Sequence, residues 1–103
     1  MFTGRIMSGG MNTTPFMPRL RWRRTWPDVA DDFVAEAAGH PDPVGRIYRT
    51  VGSDETRRWA WSLTAFGAGI HRPAVSSGGA ASPREAARDV EEAWFTATRA
   101  TPA

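Results

Sequence analysis

The sequence predicts an α+β fold: a three-stranded antiparallel sheet packed by one C-terminal helix, in the order β-β-β-α, behind a flexible N-terminal arm. Three observations predict it. Trp59, Trp61 and Leu63 recur at a spacing of two, as side chains on one face of a strand do. Ser82-Pro83-Arg84-Glu85 has the form of a capped helix start, with apolar residues at helical spacing behind it. Clusters of Gly, Pro, Ser and Asp separate these segments from one another. With 103 residues the chain is one domain at most. The expected division is a flexible basic arm over 1–27, a single small α+β domain over 28–99 and a disordered tail over 100–103.

Met1 to Pro18 is rich in Gly, Thr, Met and Pro and shows no periodicity, which marks it as an arm. Met7, Met11 and Met17 are each candidate starts of the natural chain. Arg19 to Trp26 follows as the most basic and aromatic stretch, and Pro27 and Asp28 break it. Asp32 to Ala38 reads as a first strand with Phe33, Ala35 and Ala37 on one face, although its alanines suit a short helix equally well. Two prolines in Gly39-His40-Pro41-Asp42-Pro43 make a turn.

Val44 to Phe66 reads as a hairpin. Val44, Ile47, Tyr48 and Val51 are strand formers, and Gly52-Ser53-Asp54-Glu55-Thr56 has the composition of its loop. The returning strand buries Trp59, Trp61, Leu63 and Ala65 and turns Ala60, Ser62 and Thr64 the other way. Gly67 to Ala81 then forms a loop of unusual length. In the final helix Ser82 caps the first turn, and Ala86, Val90, Ala93, Trp94 and Ala97 share the face that lies on the sheet. Phe95 falls off that stripe, so it is either covered by another part of the chain or available to a partner.

Composition limits the function classes. The absence of Cys removes disulfides and thiolate metal sites. No apolar run approaches the roughly 20 residues of a membrane span, and the first residues lack the apolar region of a signal peptide, so a cytoplasmic location is expected. All 13 basic residues are Arg. They are segregated: residues 1–26 carry Arg and no acid, whereas residues 27–44 carry Asp28, Asp31, Asp32, Glu36 and Asp42 and no base.

The strings Val44-Gly45-Arg46-Ile47-Tyr48-Arg49, Trp59-Ala60-Trp61-Ser62 and Ser82-Pro83-Arg84-Glu85-Ala86-Ala87 resemble a pattern in short uncharacterised α-proteobacterial proteins. The resemblance covers about residues 28–98 and implies the strand-strand-strand-helix architecture, with no activity attached. In its element order the chain is also similar to the sheet-reading DNA-binding modules of plant AP2-type factors and phage-integrase arm domains. That likeness implies outward contacts from Arg46, Arg49, Arg57 and Arg58.

Candidate sites follow from residue type. Arg21, Trp22, Arg23 and Arg24 have the composition of a nucleic-acid contact, since Arg forks grip phosphate and Trp stacks on exposed bases. The same stretch suits folding back on the acidic 27–44 segment, or simple solvation. Trp59 and Trp61 fit core beneath the helix better than a stacking platform. Asp31, Asp32, His40, Asp42 and His71 are the only acids and histidines that could be gathered for metal or acid-base work, and their spacing matches no ligand motif. Ser76-Ser77-Gly78-Gly79 lacks the Lys-Ser/Thr of a phosphate loop, and no nucleophile elbow occurs. The expectation is therefore no catalytic residue and no cofactor. The expected role is a small non-enzymatic binding or adaptor domain whose partner is another protein or itself, with Phe95 as contact. Nucleic-acid binding through the arm and hairpin arginines is the alternative.

Overall fold

The sheet has five strands, not the expected three. The computed structural model describes residues 16–51 and 58–99. Residues 1–15 of the arm, the expected hairpin loop over 52–56, Arg57 and the tail 100–103 lie outside the described residues. The strands are β1 (Arg21–Arg24), β2 (Asp32–Glu36), β3 (Gly45–Arg49), β4 (Trp59–Leu63) and β5 (Ser77–Ala80), followed by one helix, α1 (Pro83–Arg99). They form one antiparallel meander in the order β1-β2-β3-β4-β5. The two added strands come from the stretch read as basic arm and from the stretch read as a long loop. The likeness to three-stranded sheet-reading DNA-binding modules falls with the strand count.

Register fixes the two faces of the sheet. Trp22, Ala35, Gly45, Leu63 and their alternating neighbours lie on the face that α1 covers, because each stands opposite the next across the ladder. Ala35, Ile47, Trp59, Trp61 and Leu63 from the strands meet Ala86, Val90, Ala93, Trp94 and Ala97 from the helix in one buried cluster. The helix comes close because Gly45 has no side chain: a Cβ there would stand 2.3 Å from Val90 Cγ1. Trp94 is packed to 5 % exposure, with the His40 ring edge-on at 4.8 Å.

The helix start has the expected cap. Glu85 N–H donates to Ser82 Oγ at 3.1 Å, and the Glu85 carboxylate reaches back to Ala81 N–H at 3.4 Å. Among the described residues, no helix is long and apolar enough to cross a membrane.

Candidate functional site

The arginines singled out from the sequence are split between faces, and carboxylates stand against several of them. Arg21 and Arg23 lie on the sheet face away from α1, where Arg21 Nη2 and Arg23 Nε approach the two oxygens of Glu36 at 3.3 and 2.7 Å. The hydrogen bond from Arg23, with a smaller one from Arg21, holds the Glu36 carboxyl below its ordinary range against a partial desolvation. The basic stretch thus folds back on the acidic segment, one of the outcomes its composition allowed.

Arg46, on the same face, grips Asp32 with both arms of its fork: Nε to Oδ1 at 2.9 Å and Nη2 to Oδ2 at 2.5 Å. The Thr25 hydroxyl donates to Oδ1 at 2.6 Å. Arg46 is the main cause of the lowered Asp32 pKa, which burial opposes and Thr25 assists, and Asp32 in turn raises that of Arg46. The guanidinium also sits 4.7 Å over the Tyr48 ring.

Arg49, three residues on, falls on the opposite face and approaches Asp31 at 3.8 Å. Arg24 Nη1 donates to the Pro27 carbonyl at 3.5 Å, and Arg58 is exposed just before β4. No single basic platform results from these positions. Asp31 and Asp32 are turned to arginines, and among the described residues no three His, Cys, Asp or Glu side chains are gathered as metal ligands.

Trp22 is turned toward the helix, away from solvent. Its indole N–H donates to Glu91 Oε2 at 2.9 Å, and the backbone N–H groups of Arg19 and Leu20 donate to the same carboxylate at 3.0–3.1 Å. Glu91 is only 4 % exposed. The segment from Phe16 to Leu20 is thereby strapped along α1, and Arg84 Nη2 holds its start through the Phe16 carbonyl at 2.6 Å. This strap covers Phe95 in part. The ring is half-buried, with the Arg19 guanidinium 3.9 Å above it, and it lines a groove of about 430 Å³ with Phe16, Met17 and Arg88.

The feature that sequence reasoning missed is the outer edge of β5. Leu63 N–H donates to the Ser76 carbonyl at 2.8 Å, which sets the phase of the β4–β5 ladder. In an antiparallel ladder bonded and non-bonded pairs alternate, so Gly78 and Ala80 bond inward to Trp61 and Trp59. Ser77 and Gly79 therefore aim their backbone N–H and C=O groups out of the sheet. Arg72 fixes the approach to this strand by donating to the Leu63 and Ala65 carbonyls at 2.8 and 2.7 Å and to Ser76 Oγ at 3.1 Å.

Beside this edge lies a groove of about 490 Å³ between β5 and α1. Trp61 and Ala93 contribute its apolar surface, Val75 stands 68 % exposed on one side, and Asp89, Glu92 and Thr96 line it from the helix. Gly78 is what lets Trp61 reach so far: a Cβ there would stand 2.9 Å from the indole nitrogen. Such an arrangement can hydrogen-bond an extended backbone and receive a long side chain. Comparison with protein-family models, curated proteins and solved structures yields no match to this chain.

Proposed function

We propose that this chain is a small non-enzymatic binding domain that works through protein–protein contact, taking an extended segment of a partner as a sixth strand along β5. One observation carries the reading: β5 is an edge strand of Ser-Gly-Gly-Ala whose outward backbone groups have no large or charged side chain beside them on the strand. Sheet edges left in that condition are templates for pairing, and strand addition is a common mode of peptide recognition. The other edge is different in kind, since β1 carries three arginines in four residues.

Nucleic-acid binding through Arg21, Arg23, Arg46 and Arg49 has less support. Glu36, Asp32 and Asp31 already stand against those groups, and a phosphate must compete with a carboxylate in place.

Selection of extended peptides from a random displayed library on the immobilised full chain tests the reading. Recovered peptides are expected to lose binding when Ser77 or Gly79 becomes Pro. Either proline deletes an outward N–H and leaves the β4–β5 bonds intact. Peptides that bind both proline variants as well as the parent would show that the edge is not the site.

A further inference from the structure

We infer that the segment taken up by β5 is β5 of a second copy, the two strands running antiparallel about a twofold axis at Gly78 and joining two five-stranded sheets edge to edge. The inference rests on the strand-addition reading and names the partner.

It follows from the phase of the edge. Ser77 and Gly79 bond outward, and they flank Gly78 on either side. With Gly78 opposite Gly78 of the other copy, each Ser77 stands opposite a Gly79. Both of these pairs are then of the hydrogen-bonded kind, and every outward N–H and C=O of the two residues is answered. The central pair is non-bonded, the closer of the two types, and glycine brings no side chain to it. Neighbouring registers fit less well. Centred on Gly79, Ser77 must bond Ala81, whose N–H is already given to the Glu85 carboxylate. Centred on Ser77, Gly79 must bond Val75, which lies outside β5.

Charge supports the same register. The start of one β5 lies beside the end of the other, so Ser76 comes opposite Ala80. The exposed Arg72 is anchored at that start by its 3.1 Å bond to Ser76 Oγ. The end of the other β5 leads into α1, whose first turn holds the exposed Glu85 carboxylate. Opposite charges are thus brought to the same end of the interface, and the twofold repeats the arrangement at the other end. Both helices fall on one side of the joined sheet, with the two grooves beside β5 lying between them. Assembly stops at two copies, because the edges left outside are the β1 strands with three arginines in four residues.

The test follows association of the full chain by analytical ultracentrifugation from about 10 μM to 1 mM, a range set by the small area that two short strands bury. A reversible dimer is expected, with the Ser77 to Ala80 amides and the Trp61 indole N–H shifting in NMR as it forms. In a mixture of isotope-labelled and unlabelled chain, a contact between Gly78 Hα atoms of different copies is expected, since these atoms approach closely in a non-bonded pair. Ser77→Pro and Gly79→Pro should each abolish the dimer. Glu85→Gln, which keeps the helix cap, should weaken it about threefold at low salt, as two exposed ion pairs allow.

A chain that stays monomeric to the top of that range overturns the second copy. If the same chain takes up library peptides and the proline variants do not, strand addition stands with another partner. A dimer that survives both prolines forms elsewhere, and the inference falls. A dimer that the prolines dissolve but that lacks the Gly78 contact overturns the twofold at Gly78. Should both prolines unfold the strand, the Gly78 contact in the parent chain and the response to Glu85→Gln decide the matter.

Discussion

A carboxylate taken out of water must be satisfied by donors, and Glu91 receives three at once: two backbone N–H groups and an indole N–H. Glu91→Ala leaves those donors without the acceptor and is expected to cost about 1–3 kcal/mol in urea denaturation. A sharper expectation concerns hydrogen exchange. The Arg19 and Leu20 amides should exchange much faster in the variant; unchanged rates would mean that Phe16 and Arg84 hold the strap by themselves. Asp32 makes a prediction in pH. Its pKa is lowered in the folded state, so the stability it contributes is full above the ordinary carboxyl value of 3.8 and is lost as pH falls through the lower folded value. Arg46→Met removes the main cause of that shift. The variant should therefore be less stable at neutral pH, and the difference from the parent should narrow on acidification below pH 3.8. A gap that stays constant down to pH 2 would show that Arg46 acts by packing alone.

At the scale of elements, Gly45 sets the distance between helix and sheet. Gly45→Ala forces Val90 or the β3 backbone to move and is expected to destabilise by about 1–3 kcal/mol in thermal unfolding. A neutral result would mean that α1 shifts freely on the sheet. Some elements were legible in the sequence and others were not, for reasons found in the same contacts. The α1 start was legible because its cap is local, within Ala81 to Glu85. The β4 pattern was legible because three large apolar residues alternate in it. β1 escaped notice because Arg-Trp-Arg-Arg holds one apolar residue, and its strand form comes from pairing with Phe33 to Glu36. β5 escaped because Ser-Gly-Gly-Ala has almost no side chains with which to show a period. Its conformation is supplied by the β4 ladder and by the room its glycines leave for Trp61. The site fared likewise. Phe95 stood out as an apolar ring among charges, but the strap that half-covers it lies far away in sequence. Glu91 was the available clue, being an acid set four residues after buried Ala87 and three before buried Trp94 on the same helix.

At the scale of the whole molecule, the two edges of the meander are unlike. β1 is crowded with guanidinium groups and is fastened to α1 through Glu91, whereas β5, an edge among the described residues, carries no large or charged side chain of its own. A sheet guarded at one edge only favours addition at the other, and it discourages end-to-end growth of copies into fibres. The Glu91 strap has a further consequence for the order of events in the cell. Its hydrogen bonds join residues 69 to 72 positions apart, nearly spanning the described chain. Residues 16 to 22 are made well before their acceptor, Glu91. No strap can close until α1 has been made, and a chain broken before residue 91 keeps β1 paired to β2 but leaves the Phe16–Leu20 segment without its acceptor.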